Sequence, residues 1–231
     1  MTDQHANATT GPGVAVFDMN ETTLDLAPVR ELVDGYLPEG GGFTVWFQRL
    51  LQLSMATTTT GAGFMEFGTL ARQSFEAVAA SRGDSPPDDA FGQVAAAIGS
   101  IQPYADVRGG MERLRSAGWM TIALTNSGQA MVEGQCEGAG ITDLFDHIIS
   151  VEQVQTYKPS LAPYQHAAEV AGATPADMWM VACHDWDLAG ARAAGYQTAF
   201  IARAAMSYAP TWPAADVSVA DFAALADKLL D

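Results

Sequence analysis

Four clusters of polar side chains follow short apolar runs in this sequence, and their residue types are those found in catalytic sites. The clusters are Asp18 with the residues just after it, Thr125-Asn126-Ser127, Lys158-Pro159, and residues 183–187. Carboxylates and hydroxyls act as nucleophiles, and Lys or His side chains stabilise charge or transfer protons. Asp, Asn, Ser and Thr are also common in caps and turns, so one cluster alone predicts little. The clusters indicate a catalytic site only if the fold brings all four together.

The apolar runs before these clusters predict strands buried in a parallel sheet. They cover residues 14–18, 120–126, 147–151, 178–183 and 198–202, and segments with helical periodicity separate them at 110–118, 129–140, 163–172 and 188–195. Alternating strands and helices are typical of a doubly wound α/β sheet, in which ligands bind beyond the carboxyl ends of the strands. We therefore expect the four polar clusters along one edge of the sheet.

Residues 27–101 have a different pattern, with long helical periodicity, many Met, Phe and Ala residues, and no convincing strand. Glycine-rich stretches within this region predict loops between its helices. We interpret it as a helical cap inserted after the first strand. The predicted organisation is a loose tail over residues 1–13, a core domain made of residues 14–26 and 102–231, and the cap over residues 27–101.

Acidic residues outnumber basic ones by 27 to 11, which gives a formal net charge of −16. Such a charge repels phosphate backbones and anionic lipid, so we expect neither a nucleic-acid nor a membrane partner. The sequence has no apolar run of about 18 residues and no signal-peptide pattern at its start. Cys136 and Cys183 lie far apart and favour reduced thiols. These features predict a cytoplasmic protein.

In this order and at these strand ends, the four clusters resemble the motifs of the haloacid dehalogenase (HAD) superfamily, and the likeness covers nearly the whole chain from Val14 onward. The resemblance implies a Rossmann-like core with an inserted helical cap of the dehalogenase type. It further implies that Asp18 is the nucleophile, that Thr125 supplies a hydroxyl, that Lys158 is the cation, and that Asp187 is the last acid.

Most members of that superfamily are magnesium-dependent phosphatases, and two positions argue against that chemistry here. Such a phosphatase needs an Asp two residues after the nucleophile to protonate the leaving group, and Asn20 cannot deliver a proton. It also needs an Asp as a Mg²⁺ ligand four residues before the last acid, where Cys183 is a poor ligand for a hard cation. A halide leaves without a proton or a metal. The sequence therefore predicts no metal site and no cofactor.

With these changes the chain is similar to the (S)-2-haloacid dehalogenases. Further shared residues are Thr22, Asn126, Tyr164 and Trp186. The resemblance implies that Asp18 attacks C2 of a short-chain L-2-haloacid from the side opposite the halogen and forms an ester. Water then hydrolyses the ester at the aspartyl carbonyl, which yields a D-2-hydroxyacid.

The same resemblance assigns roles around the nucleophile. Lys158 would keep Asp18 ionised, and Asp187 would orient Lys158. Thr22, Asn126 and nearby backbone amides would position Asp18 or bind the substrate carboxylate. The expected substrate-binding residues are Thr125, Asn20, Phe47, Phe67, Tyr164 and Trp186.

One departure from the family pattern concerns the halide. These dehalogenases carry an Arg after the residue matched here by Trp46, and that Arg helps to receive the halide; Phe47 stands in its place. Arg49 lies two residues on, about 200° around a helix, so we expect it to face solvent. The halide would then rest against Phe47, Phe67 and Trp186. Aromatic residues at helical spacing are equally typical of an ordinary core, and that interpretation stays open.

A second departure is the pair His184 and Glu21, which stand where these dehalogenases usually have Asn and Gly. Because the first and fourth strands are neighbours in this fold, Glu21 can hold His184 in the tautomer whose other nitrogen takes a proton from the hydrolytic water. This catalytic dyad is a hypothesis. The alternative is a capping glutamate and a partly exposed histidine without a catalytic role.

Two other functions stay open at this point. A magnesium-dependent phosphatase would need a shifted metal site that includes Asp185. A catalytically silent relative would bind a small acid or a partner protein, although Asp18, Lys158 and Asp187 are all retained. In the leading interpretation the partner is a small-molecule 2-haloacid. Related enzymes are often homodimers through the cap, which makes a homodimer a further expectation.

Overall fold

The computed structural model describes residues 13–204 and 206–231; apart from Gly13, the predicted tail lies outside them. In the described residues, six parallel strands form one sheet in the order β3-β2-β1-β4-β5-β6. They are β1 (Val14–Phe17), β2 (Met120–Thr125), β3 (His147–Ser150), β4 (Met178–Ala182), β5 (Gln197–Ile201) and β6 (Val217–Val219). The predicted α/β fold with a doubly wound parallel sheet is confirmed.

Nine α-helices occur in the same described part of the chain. They are α1 (Ala27–Tyr36), α2 (Gly42–Thr60), α3 (Phe67–Arg82), α4 (Ala90–Gly99), α5 (Val107–Ser116), α6 (Gln129–Gly138), α7 (Leu161–Ala171), α8 (Asp185–Ala193) and α9 (Phe222–Leu230). Helices α1 to α4 fill the region predicted to be a cap. None of the helices described is both long enough and apolar enough to pass through a bilayer.

The sheet is buried on both faces, which explains why its central strands read as continuous apolar runs. All four residues of β1 are buried. Ala15 and Phe17 belong to one hydrophobic cluster, which also contains Phe222 of α9 and extends into helices α1 to α4. Val14 and Val16 belong to the cluster on the other face. Side chains of a strand alternate between faces, so β1 contributes to both cores.

The strand order places the switch of chain direction between β1 and β4. From β1 the chain continues to β2 and β3 on one side, and then returns to β4 and β5 on the other side of β1. A crevice opens beyond the carboxyl ends of the strands at such a point, and ligands of α/β proteins bind there. Asp18 directly follows β1, and residues 183–187 directly follow β4. The fold therefore brings the first and fourth polar clusters to this crevice.

Candidate active site

Asp18 lies at the centre of a network of buried polar side chains. Its carboxylate accepts hydrogen bonds from Lys158 Nζ on Oδ1 at 2.8 Å and from Thr22 Oγ1 on Oδ2 at 2.8 Å, and His184 Nδ1 lies 3.0 Å from Oδ2. Burial by itself raises the pKa of Asp18, but the charges and hydrogen bonds of Lys158 and His184 outweigh it and hold the pKa well below its ordinary value. The group is therefore an ionised carboxylate at neutral pH.

The turn after β1 is joined to the end of β4 through Thr22. The Thr22 hydroxyl donates to Asp18 and accepts the backbone N–H of Cys183 at 3.0 Å. Thr23 donates to the carbonyl oxygen of Asp18 at 2.7 Å, and the backbone N–H of Asp18 donates to Val181 at 3.0 Å. These bonds restrain the main chain on both sides of the carboxylate, so Asp18 has little freedom to leave its position.

Lys158 is fully buried, and all three donors of its ammonium group are used. It donates to Asp18 Oδ1 at 2.8 Å, to Asp187 Oδ2 at 2.6 Å and to the carbonyl oxygen of Leu124 at 3.0 Å. Burial lowers the pKa of a lysine, but the two carboxylates more than offset it, and the pKa of Lys158 lies above its ordinary value. The predicted arrangement, with Lys158 between Asp18 and Asp187, is what the structure contains.

Tyr164 supports Asp187 from behind. Asp187 lies in the first turn of α8, and its Oδ1 accepts the Tyr164 hydroxyl at 2.5 Å. Burial is the largest cause of the raised pKa of Asp187. We predicted that Tyr164 binds substrate, but its side chain is fully buried with its hydroxyl on Asp187. That contact corrects the assignment, because Tyr164 acts on the site through Asp187.

Helix α8 reaches Tyr164 only because residue 190 is a glycine. A Cβ atom at Gly190 would lie 2.7 Å from the Tyr164 hydroxyl and 2.6 Å from the carbonyl oxygen of Pro159. Both distances are shorter than real carbon contacts allow. Sequence reasoning missed this residue, since a single glycine inside a helix does not reveal what it packs against.

His184 lies between two carboxylates. Its Nδ1 is 3.0 Å from Asp18 Oδ2, and its Nε2 is 3.2 Å from Glu21 Oε2. Burial lowers the pKa of His184, but its contacts with Cys183, Asp18 and Glu21 raise the pKa well above its ordinary value. A protonated His184 donates from Nδ1 to Asp18 and from Nε2 to Glu21. The structure brings the two residues of the hypothetical dyad into contact.

Glu21 has a second partner that sequence reasoning missed. Arg30 of α1 donates from Nη2 to Glu21 Oε1 at 3.0 Å. Glu21 itself has a positive φ of 63°, which is rare for a residue with a side chain. With this backbone conformation the Glu21 side chain contacts both His184 and Arg30. Residue types alone do not predict a positive φ at this position.

Asn126 has a buried donor without a partner in the part of the chain that the structure describes, beside the main chain of Lys158. Its Oδ1 accepts the backbone N–H of Lys158 at 3.0 Å, which fixes the orientation of the amide. Within the described residues its buried Nδ2 has no hydrogen-bond partner. Thr125 Oγ1 accepts the backbone N–H of Ser127 at 3.1 Å, and Asn20 Nδ2 donates to Ser127 Oγ at 3.1 Å. The turn after β2 thus holds a free donor suited to an anion.

Two cavities flank this network, and Phe47 borders both. The first, of about 220 Å³, is mostly apolar, includes Phe67, and ends at Asn20 and Ser127. The second, of about 510 Å³, is lined by Glu21, His184 and Trp186 among others. Phe67 and Trp186 thus line different cavities, so the predicted halide pocket of Phe47, Phe67 and Trp186 is not one pocket.

Arg49 is exposed and donates to Gln52 at 2.6 Å, so the prediction that it faces solvent is confirmed. Trp46, by contrast, is buried, with its indole N–H donating to Ala71 at 2.9 Å. Phe47, which lies about 200° around α2 from Arg49, is also buried, so α2 turns one face to the interior and the opposite one to water.

The side chains here are a poor set of ligands for Mg²⁺, which prefers several oxygen donors in octahedral geometry. Cys183 is buried and presents sulfur 3.3 Å from the Thr22 hydroxyl. The two carboxylate oxygens of Asp185 accept the backbone N–H groups of Trp186 at 2.7 Å and of Ala209 at 3.0 Å. Asp18 already accepts from two cationic side chains. A shifted site built on Asp185 does not fit these contacts.

A profile of haloacid dehalogenase-like hydrolases matches residues 13–195 of the sequence. The chain belongs to this family. It is 29% identical over 193 residues to (S)-2-haloacid dehalogenase 1 of Pseudomonas sp. (strain CBS-3), an alignment that spans 81% of this chain and 83% of that protein. It is 28% identical to (S)-2-haloacid dehalogenase of Xanthobacter autotrophicus, over 81% of this chain and 74% of the relative. The resemblance inferred from the four clusters is confirmed.

Solved structures of the haloacid dehalogenase-like family share the fold. The L-2-haloacid dehalogenase from Xanthobacter autotrophicus superimposes with a TM-score of 0.84 at 24% identity, over 94% of this chain and 97% of that structure. The network around Asp18 consists of Glu21, Thr22, Lys158, Tyr164, His184 and Asp187, with Asn126 bonded to the main chain of Lys158. Most of these residues were predicted to be catalytic from the sequence.

Proposed function

We propose that this hydrolase removes halide from short-chain L-2-haloacids through an ester on Asp18, without a metal ion. The observation that carries the proposal is the buried carboxylate of Asp18, which Lys158 and His184 keep ionised. Among the described residues, no three His, Cys, Asp or Glu side chains are grouped so that they could hold a metal ion. Relatives over most of the chain are (S)-2-haloacid dehalogenases, which supports the substrate class.

In the first step an oxygen of Asp18 bonds to C2 of the substrate, and the bond between C2 and the halogen breaks with its electron pair on the halide. Attack from the opposite side inverts C2. The Nδ2 of Asn126, buried and without a partner among the described residues, is the donor that we assign to the substrate carboxylate or the halide. The apolar cavity beside Phe47 and Phe67 offers space for the substrate side chain.

In the second step water hydrolyses the ester. Ester formation removes the negative charge of Asp18, which is one of the groups that raise the pKa of His184, so that pKa falls. Nδ1 then loses its proton and can accept one from water, while Nε2–H remains on Glu21. The water oxygen bonds to the aspartyl carbonyl carbon, and the bond between that carbon and the ester oxygen breaks. The departing 2-alkoxide takes the second proton of the water and leaves as the hydroxyacid, which restores the Asp18 carboxylate.

The assay that tests the proposal compares two reactions. In EDTA the protein should release halide from L-2-chloropropionate and yield D-lactate, whereas hydrolysis of p-nitrophenyl phosphate with Mg²⁺ should stay at background. Asp18→Asn is the control and should release no halide. Mass spectrometry should detect an adduct on the parent protein only. Halide release that disappears with chelation, or a parent that gains no adduct, would contradict the proposal.

The role of His184 has its own test. In His184→Asn the nucleophile keeps its bonds to Lys158 and Thr22, so about one equivalent of halide should be released per site. The loss of a general base costs roughly 10²- to 10⁴-fold in rate. The ester should therefore accumulate and appear as added mass on the peptide that contains Asp18. Normal turnover without accumulated ester would leave His184 with a structural role.

A further inference from the structure

Arg30 connects the buried carboxylate of Glu21 with helix α2. One arm of its guanidinium donates from Nη2 to Glu21 Oε1 at 3.0 Å, and the other donates from Nη1 to Thr44 Oγ1 at 3.1 Å. The guanidinium carbon lies 4.1 Å from the centre of the Phe43 ring. Three contacts on two sides fix this side chain, although about a third of it is exposed. An arginine held in this way is a rigid support for its carboxylate partner.

The two oxygens of Glu21 have different partners. Oε1 accepts from Arg30, and Oε2 faces His184 Nε2 at 3.2 Å. A carboxylate held at both oxygens cannot rotate about its last bond. Glu21 also borders the cavity of about 510 Å³, so without Arg30 its carboxylate would have open space to turn into.

We propose that Arg30 is a positioning residue for ester hydrolysis, which it serves by holding Glu21 against His184 Nε2. This inference rests on the proposed function. It differs from a general structural role because Asp18 has no direct hydrogen bond to Arg30. Asp18 keeps its bonds to Lys158 and Thr22, and these bonds come from other elements. Removal of Arg30 should therefore spare the first step and slow the second.

The experiment compares Arg30→Met and Arg30→Lys with the parent and with Arg49→Met. Arg49 lies on the exposed face of α2 and bonds to Gln52, so its loss removes an arginine without touching Glu21. Each protein is mixed rapidly with L-2-chloropropionate. Halide is followed through the first turnover and into the steady state, and intact mass reports the ester.

In Arg30→Met the first equivalent of halide should appear at the parental rate. A general base contributes roughly 10²- to 10⁴-fold to a rate, and we expect loss of its support to slow the steady state by about tenfold or more. The ester should accumulate in this variant. Arg30→Lys keeps the charge but not the fork between Glu21 and Thr44, so its steady-state rate should fall between those of Arg30→Met and the parent. Arg49→Met should match the parent.

Two results would overturn the inference alone: an Arg30→Met variant with parental steady-state turnover, or one in which both phases slow equally, as a general loss of structure would produce. A parent that releases no halide and gains no adduct would overturn the proposed function, and this inference with it. Thermal unfolding of each variant separates a folded variant with a slow second step from a protein that has lost its structure.

Discussion

Replacement of Tyr164 by Phe removes one hydroxyl from the most deeply buried part of the site and leaves the ring in place. That hydroxyl donates to Asp187 Oδ1 at 2.5 Å, and the Tyr164 side chain has no measurable exposure to solvent. Asp187 would keep its bond to Lys158 at 2.6 Å but lose the partner of its other oxygen. Asp187 is fully buried as well, so bulk solvent does not replace the lost donor.

The size of the effect follows from these contacts. A hydrogen bond to a charged group contributes about 1.5–3 kcal/mol to stability. For a protein of this size 1 kcal/mol corresponds to about 2–4 °C, so the melting temperature should fall by roughly 3–12 °C. The tyrosine bond also lowers the pKa of Asp187, so its loss raises that already elevated pKa further. A protonated Asp187 no longer offsets the positive charge of Lys158. The acid limb of the pH profile for the halide-release rate should therefore move to higher pH.

The contacts of Asp187 also predict how the stability loss of Tyr164→Phe varies with pH. The lost bond stabilises the ionised form of Asp187 more than the protonated form. Tyr164→Phe should therefore lose most stability at neutral pH, and its deficit against the parent should shrink as the pH falls through the pKa of Asp187. Urea unfolding at several pH values measures this difference.

Tyr196→Phe is the matched control. Tyr196 is also buried, and its hydroxyl donates to the backbone carbonyl of Tyr164 at 2.6 Å. Its loss should cost about 0.5–1.5 kcal/mol, as for a neutral hydrogen bond. Because this hydroxyl does not touch Asp187, the acid limb of single-turnover halide release should stay where the parent has it. Equal stability losses with no difference in the acid limb would refute the reasoning.

Other substitutions test the same network. Lys158→Met leaves Asp18 and Asp187 buried without their shared cation, so it should cost about 3–5 kcal/mol in urea unfolding and abolish halide release. Gly190→Ala places a Cβ atom against the Tyr164 hydroxyl and should cost about 1–3 kcal/mol, with activity falling as Tyr164 is displaced from Asp187. Its control, Gly134→Ala, is exposed on α6 with open space around the added carbon and should stabilise the protein by about 0.5–1 kcal/mol. Similar losses for both glycine variants would contradict the packing argument.

The central strands and the polar cluster around Asp18 were predictable from the sequence for one physical reason. A strand buried on both faces is largely apolar, so polar residues at its carboxyl end mark the edge of the sheet. This is true of Asp18 after β1 and of Thr125 at the end of β2. Strand β6 was missed because it has three residues, Val217–Val219, whose middle side chain is exposed. A short edge strand of this kind contains too little apolar sequence to stand out from a loop.

Contacts between side chains from different elements were harder to predict. The position of Tyr164 depends on how closely α7 and α8 pack, and that distance is set by the missing side chain at Gly190. The pairing of Glu21 with Arg30 depends on the positive φ of Glu21. Residue type and spacing do not encode either feature. The Glu21 and His184 contact was predictable because both residues follow strands that are neighbours in the sheet.

The partners of the two cationic groups explain how one site can support two successive steps. Lys158 lies between Asp18 and Asp187, and His184 lies between Asp18 and Glu21. In the proposed reaction the ester removes the charge of Asp18 from both. Lys158 keeps Asp187, which is bonded at 2.6 Å and sealed from solvent, whereas His184 borders an open cavity through which a proton can leave. Because an ammonium group holds its proton far more strongly than an imidazolium, His184 deprotonates and Lys158 stays charged. Formation of the ester on Asp18 thus also generates the neutral His184 that serves as the base for hydrolysis of that ester.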